Sequence, residues 1–148
     1  MATSFEEVRD IFLNKIEDCN YLEYTEEELN KELALKVKSV LAKYITEDEV
    51  TFDEETNLFS RNLSQLEIET IALGLLVEWL SPKIYRLSLV EQSLSSNEWN
   101  MTSQANHLKE LRNLQKATKD EMRYWNNRIN FIKYGNKIKK NCGKKWIT

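Results

Sequence analysis

Residues 64–80 read SQLEIETIALGLLVEWL, and this stretch decides the fold class. Ser64 and Glu67 have the spacing of a capping box, in which each side chain accepts a hydrogen bond from the other residue's backbone N–H at a helix start. Apolar residues then cover more than one face of the helix, which predicts a buried central element. Gly74 costs about 1 kcal/mol relative to Ala, so it indicates either close approach of another helix or a tolerated glycine.

Two helices are predicted upstream, and both begin with the same signal. Ser4 with Glu7, and Thr25 with Glu28, have capping-box spacing. The first helix is expected to end near Glu17 and the second between residues 43 and 45. The second helix has one continuous apolar stripe at helical spacing. Its members are Leu29, Leu33, Val37, Val40, Leu41 and Tyr44.

Residues 46–63 have no helical period, and the first part of this segment is acidic. Val50 and Phe52 alternate as in a short strand, but no second convincing strand follows. The sequence therefore predicts an exposed acidic loop over 46–57, with Leu58, Phe59 and Leu63 attaching its far end to the core.

Ser81-Pro82 interrupts the central helix, because proline lacks an N–H for the carbonyl four residues back. With Ser81 as N-cap and Pro82 in the first turn, a restarted helix is expected up to Leu94. A polar break over 93–103 then contains Trp99, which is expected to dock either on its own core or on a partner.

The last helix is predicted from about Thr102 to Lys133. Its length of about 45 Å is greater than a globular domain of this size requires. Part of it should project or pack on a neighbouring chain. Gly135 is expected to end it, before an extended lysine-rich tail over 134–148. Its apolar seam is heptad-like, with polar residues in the middle. The seam comprises Leu108, Leu111, Gln115, Thr118, Met122, Trp125, Ile129 and Ile132.

Composition agrees with an all-α fold, a small bundle of about four to five helices. The 148 residues include only 3 Gly and 1 Pro, and the turns of β-rich folds depend on these residues. The expected organisation is a helical domain over 1–133 followed by the basic tail over 134–148.

Charge is unevenly distributed along the chain. Residues 1–60 contain 16 acidic and 6 basic side chains, whereas residues 61–148 contain 8 acidic and 15 basic ones. No acid occurs after residue 122. Such segregation indicates separate contact surfaces, and in an oligomer it would attract the acidic part of one copy to the basic part of the next.

No segment has the pattern of a signal peptide or a membrane span, so folding in a cytoplasm is expected. Cys19 and Cys142 stand far apart and predict two reduced thiols. His107 is the one histidine, which excludes a His-based triad or a multi-His metal site within one chain. The glycines are isolated, so no phosphate-binding loop is expected.

The remaining carboxylates have ordinary explanations in capping and solvation, and Glu78 is expected in a salt bridge, facing outward or at an interface. We therefore expect no enzyme activity, no catalytic residues, no metal and no cofactor. The tail has three alternatives: contact with a protein, binding of nucleic acid through its lysines and aromatics, or solvated disorder. The expected partner-binding residues are Trp125, Ile129, Ile132, Tyr134, Lys137, Lys139, Lys140, Lys144, Lys145 and Trp146.

Three segments resemble a known family. These are MATSFEEV at 1–8, IETIALGLLVEWL at 68–80, and LSS at 94–96 leading into the long helix. Their pattern and order resemble the head–tail connector proteins of tailed bacteriophages, also called adaptor, head-completion or neck proteins.

The resemblance implies a virion protein at the head–tail interface, assembled in the host cytoplasm. Family members form rings, usually of twelve copies, that dock on the portal protein, meet a further neck or tail-completion protein and line the DNA channel without sequence-specific contact. They commonly grip the portal with a C-terminal segment, which here corresponds to about 134–148. The alternative is a small helical regulator that binds nucleic acid or a host protein through its lysine-rich tail. Neither role involves a membrane.

Overall fold

A computed structural model describes residues 2–16, 23–44 and 50–146, with the backbone alone for Tyr44 and residues 143–146. The elements are α1 (Phe5–Asn14), α2 (Glu26–Tyr44), β1 (Phe52–Asp53), β2 (Leu58–Phe59), α3 (Gln65–Ser93), α4 (Ser96–Asn100) and α5 (Ser103–Trp146). The predicted all-α bundle with a long C-terminal helix is confirmed. Among the described residues, no helix has both the length and the apolar character needed to span a membrane.

Side-chain caps define the helix starts. Ser64 and Glu67 form the predicted capping box, and both of its hydrogen bonds measure 3.2 Å. Thr25 and Glu28 exchange the same pair of bonds at 3.3 Å. At α1 the Ser4 hydroxyl instead accepts from the N–H of Glu6, so the predicted bond from Glu7 is replaced by one from its neighbour.

The observed ends of the first two helices can be compared with the predicted ones. α2 ends at Tyr44, within the predicted range. α1 ends at Asn14, three residues before the predicted end. The N–H groups of Lys15 and Ile16 donate to carbonyls three residues back, which tightens the chain into a final turn. Glu17 itself, like Cys19, lies outside the described residues.

α3 is the central helix, as its sequence predicts, and it packs against α1, α2 and α5. Its first half is almost wholly buried from Ile68 to Leu80, whereas its second half is only partly covered. The main core lies between α3 and the two N-terminal helices. Its largest buried side chains include Phe5, Phe12, Leu33, Phe59, Ile71, Leu75 and Leu80.

Gly74 marks the close approach of α2 to α3. A Cβ added at Gly74 would lie 2.4 Å from Cγ1 of Val40 and 3.1 Å from its Cγ2. Ordinary carbon contacts are about 3.5–4.0 Å, so no larger residue fits without movement. Of the two interpretations of Gly74, close packing is the one that the structure supports.

A small hairpin replaces part of the predicted acidic loop. β1 pairs with β2 in antiparallel register, with Phe52 opposite Phe59, and Ser4 forms a bridge to Leu58 on the other side. The expectation that no second strand follows Phe52 was therefore wrong. Each strand has only two residues, which is too short to give a periodic signal. Residues 46–49 of the predicted loop lie outside the described residues.

α3 runs through Pro82 without restarting, so the predicted restart at Ser81 was wrong. An interior proline costs about 3 kcal/mol through its lost N–H and its clash. α5 holds the helix after this position through the bond from Arg112 to Ser88, and before it through Gln115. Gln115 of α5 donates from Nε2 to the Val77 carbonyl at 3.2 Å and to the Ser81 hydroxyl at 2.8 Å.

The predicted polar break contains a short helix, α4, capped by reciprocal bonds between Ser95 and Glu98. Trp99 of this helix is only 7% exposed. It therefore docks on its own chain, which resolves the two alternatives for this residue. α4 connects α3 to α5 in a tight antiparallel turn.

α5 extends 13 residues beyond its predicted end at Lys133, because it continues to Trp146. Gly135 does not end the helix. It lacks the positive φ of a glycine cap. Residues 134–146 are therefore helical and not a separate extended tail, and the boundary expected between 133 and 134 falls inside α5.

Candidate functional site

α5 lies antiparallel along α3, and their contacts follow one another in order. Near its start, Arg112 donates from Nη2 to the hydroxyl of Ser88 at 2.9 Å. In the middle, Met122 packs with Leu73 and Val77 of α3. Farther along, the positive charge of Lys133 is close enough to influence Glu67 in the first turn of α3. Lys133 is half-buried and every side chain from Asn136 to Cys142 is exposed, so the overlap of the two helices ends at about Lys133.

The part of α5 beyond this overlap, residues 134–146, is here termed the α5 overhang. Its 13 residues correspond to about 20 Å of helix. Every side chain from Asn136 to Cys142 is exposed. A Cβ added at Gly135 would meet nothing within 4 Å. The overhang thus stands away from the rest of the described chain.

The partner-binding residues predicted from the sequence divide into three groups. Trp125 is half-buried against the cluster of Leu73, Val77 and Met122, and Ile129 is also half-buried, so both lie within the α3–α5 overlap. The exposed group is Ile132, Tyr134, Lys137, Lys139 and Lys140. The side chains of Lys144, Lys145 and Trp146 lie outside the described residues, although their backbone is helical.

A basic face begins at Lys133, just before the overhang, and continues along it. Lys133, Lys137 and Lys140 follow one another at steps of four and three residues, so they share one side of the helix. This side continues the face of α5 that packs on α3 through Met122. Beyond the N-terminal end of α3, the apolar contact face of α5 therefore becomes a row of lysines.

An apolar row lies on the opposite side and was missed in the sequence. Phe131 is 75% exposed and Tyr134 is 63% exposed. Ile138 and Cys142 follow at steps of four residues and are exposed as well. The spacing of these four residues is itself a helical signal, but it becomes visible only once the helix is known to continue past Gly135.

A second candidate surface is acidic. An open groove of about 780 Å³ runs between α2 and the turn of the hairpin. It is termed the acidic groove. Leu35 is in its wall and is 69% exposed. The full lining comprises Glu26, Glu27, Asn30, Lys31, Ala34, Leu35, Glu54, Glu55 and Asn57.

The fold brings these acidic residues together from two distant parts of the chain. Glu26 and Glu27 belong to the first turn of α2, where the helix dipole favours acids. Glu54 and Glu55 belong to the β1–β2 turn, which closes at Asn57 with a φ of 55°, a conformation that asparagine tolerates. The sequence shows both groups as acidic but gives no sign that they face one groove.

Ion pairs neutralise some of the groove's carboxylates. Arg9 binds Glu26 at 3.1 Å, and Lys38 binds Glu54 at 2.5 Å. Within the part of the chain that the structure describes, Glu27 pairs with Lys31 one turn along the same helix, at 3.5 Å, and such exposed pairs contribute little. Glu27 and Glu55 are both exposed and are the carboxylates most available to an incoming cation.

Glu78, whose environment the sequence left open, forms a salt bridge. Its carboxylate accepts from the ammonium of Lys43 at 3.0 Å, and its side chain is 15% exposed. This pair links α2 to α3 on the outer side of the core. It belongs to the fold and not to either candidate surface.

Among the described residues, two carboxyl groups have clearly shifted pKa values, and both belong to capping boxes. Burial raises the pKa of Glu67, but the hydrogen bonds from Arg61 and from the Ser64 backbone, with the charges of Arg61 and Lys133, outweigh it and lower the pKa. Hydrogen bonds from Ser95 lower the pKa of Glu98. Capping accounts for both shifts.

The described residues hold no group of three or more His, Cys, Asp or Glu side chains able to bind a metal ion. His107 is exposed at the start of α5. A smaller hollow of about 430 Å³ beside Trp99 is lined by polar, basic and apolar side chains and by no carboxylate. The α5 overhang and the acidic groove are therefore the two surfaces that stand out for recognition.

No protein-family model, curated protein sequence or solved structure matches the chain.

Proposed function

We propose that this protein is a structural subunit of the neck of a tailed bacteriophage, where it forms a ring that links the portal to the tail and lines the DNA channel. The observation that carries the proposal is the α5 overhang. It presents exposed aromatic and lysine side chains on a helix that continues about 20 Å beyond its support.

The exposure of apolar side chains on this helix supports a role in binding another protein. Most of the surface of Phe131 and Tyr134 is exposed, and exposed apolar rows on a surface are typical of interaction sites. A preformed helix also loses less conformational entropy on docking than a flexible tail does. The overhang is therefore suited to a groove on another chain.

The choice of a phage neck rests on the resemblance of segments 1–8, 68–80 and 94–96. In this role the partners are other copies of the chain, in a ring expected to hold twelve, together with the portal protein and a further neck or tail-completion protein. Genomic DNA would pass through the ring without sequence-specific binding. An acidic surface along the channel would repel phosphate, whereas a basic one would bind it.

Truncation of the overhang tests this function. We expect a variant lacking residues 134–148 to fold, since the α3–α5 overlap ends near Lys133. It should no longer co-sediment with portal-bearing, tail-less capsids of the source phage, whereas the full chain should. Normal co-sedimentation of the folded truncated variant would contradict the proposed docking role.

A pair of charge variants provides a matched comparison. Lys137→Glu with Lys140→Glu reverses the basic face of the overhang. Lys109→Glu with Lys116→Glu makes the same change on exposed positions of α5 within the overlap. Only the first pair should weaken capsid binding. Equal loss in both pairs would indicate a general effect of net charge instead of a specific docking face.

A second function is favoured by the row of Lys133, Lys137 and Lys140. A small regulator could bind nucleic acid through this row, by neutralising phosphates and releasing counterions. A salt titration of binding to duplex DNA distinguishes the two functions. Affinity that falls steeply with salt would support the regulator, and negligible binding at low salt would exclude it.

A further inference from the structure

The α5 overhang does not line the acidic groove of its own chain, since no residue of α5 is among the groove's lining residues. α5 is one continuous helix from Ser103 to Trp146, and the side chains at 136–142 are exposed. To fold back, the overhang would have to break this helix. The acidic groove is open as well, so both surfaces are available to a second molecule.

We propose that the α5 overhang of one copy docks in the acidic groove of the next copy. This inference rests on the proposed function, because it names a second copy of the chain as one of the partners in that function. Its structural basis is the complementarity between the two surfaces, which can be tested without a phage.

Charge is the first element of this complementarity. The groove lining contains four glutamates and one lysine, and Glu27 and Glu55 have no strong cation partner among the described residues. The overhang contributes Lys137 and Lys140 on one face and contains no acid. Opposite charges on two surfaces accelerate association and fix its orientation.

Apolar contact is the second element. Leu35 is exposed in the groove wall next to Ala34. Tyr134 is exposed on the overhang and lies three residues before Lys137, at the edge of the lysine face. In a docked helix Tyr134 would cover Leu35 while the lysines reach the carboxylates at the rim. The exposed side chains of the groove would therefore be covered by the overhang, and those of the overhang by the groove.

Size is the third element. A helix about 10 Å wide and about 20 Å long occupies roughly 1,600 Å³. The groove, of about 780 Å³, is open to solvent, so a helix of this width can lie along it with one side still exposed. The 13 residues of the overhang supply this length.

The contact would join two different surfaces, so it is heterologous. Each copy offers one overhang and one groove, and repetition of the contact produces a closed ring or an open filament. The smallest closed product is a pair in which each overhang lies in the other copy's groove, and larger closed products are rings. The proposed neck role requires the ring.

A charge-swap experiment on the full-length chain tests the inference. The overhang variant is Lys137→Glu with Lys140→Glu, and the groove variant is Glu27→Lys with Glu55→Lys. Glu26 and Glu54 are left unchanged because they bind Arg9 and Lys38. Self-association is measured by sedimentation velocity at low salt, and circular dichroism checks that each variant is folded.

We expect the wild type to self-associate and each single-surface variant to bind its own kind at least about tenfold more weakly, because like charges then face each other. An equimolar mixture of the two variants should assemble again, since every contact in an alternating oligomer has opposite charges. A chain carrying all four substitutions should also self-associate. The matched control, Lys109→Glu with Lys116→Glu, should behave as the wild type.

Several results would overturn the inference: a monomeric wild type at millimolar concentration, variants that associate as strongly as the wild type, or a mixture that does not recover. Capsid co-sedimentation separates this failure from failure of the proposed function. If the chain binds portal-bearing capsids but charge swaps leave self-association unchanged, the function stands and the overhang contacts another protein.

Discussion

Substitution of Gly74 by alanine is the sharpest test of the packing between α2 and α3. The new methyl group would lie 2.4 Å from Cγ1 of Val40, so one of the two helices must move. Overpacking of this kind costs about 1–3 kcal/mol, whereas alanine gains about 1 kcal/mol of helix propensity over glycine. The expected net effect is a loss of about 1 kcal/mol in the free energy of unfolding.

Thermal and urea unfolding measure this loss, and a change of about 1 kcal/mol shifts the Tm by about 2–4 °C in a chain of this size. Gly135→Ala is the matched control. It has the same substitution in a helix, but its methyl group meets nothing within 4 Å. We therefore expect Gly135→Ala to leave stability unchanged or to raise it by up to about 1 kcal/mol.

A double-mutant cycle with Val40→Ala separates steric conflict from other causes. Val40→Ala alone creates a cavity and should cost about 2 kcal/mol. Combined with Gly74→Ala it removes the clash and refills part of that cavity, so the two changes should be non-additive by at least about 1 kcal/mol. Additive effects, or stabilisation by Gly74→Ala equal to that of Gly135→Ala, would refute the close approach.

Three further predictions concern polar and aromatic contacts. Because the pKa of Glu67 is lowered in the folded chain, its contribution to stability is present above the ordinary glutamate pKa and is lost as the pH falls through the lowered value. Glu67→Gln should flatten this acid-side loss in unfolding measured from about pH 7 to about pH 3, and an unchanged profile would contradict the assignment. Thr3→Val removes the hydroxyl that accepts from the buried Leu63 N–H at 2.7 Å and should cost about 1–3 kcal/mol, while a neutral effect would mean that water replaces it. Trp99→Ala should cost about 3–5 kcal/mol in thermal unfolding, since Trp99 is buried on its own chain, and a loss below about 1 kcal/mol would point to weak docking.

Local signals predicted most of the fold. The capping boxes at Thr25 and Ser64 define the starts of α2 and α3, because they involve only residues close in sequence. The apolar stripe of α2 and the apolar faces of α3 likewise predicted the core. Even α4 has a readable signal, since Ser95 and Glu98 have capping-box spacing.

Tertiary contacts explain what the sequence did not predict. Pro82 remains helical because α5 holds α3 through Gln115, which lies 34 residues from Ser81. The hairpin forms because β2 is bordered by both β1 and Ser4. The acidic groove combines Glu27 with Glu55, and nothing local indicates that these residues share a surface.

The central claim is that the chain joins other proteins through the α5 overhang at a phage neck, and electron microscopy of assembled particles tests it most directly. Portal-bearing capsids would be imaged after incubation with the full chain and with the variant lacking residues 134–148. The account predicts a ring of density beneath the portal with the full chain and a bare portal with the folded truncated variant. A bare portal with the full chain, or the same ring with both, would contradict it.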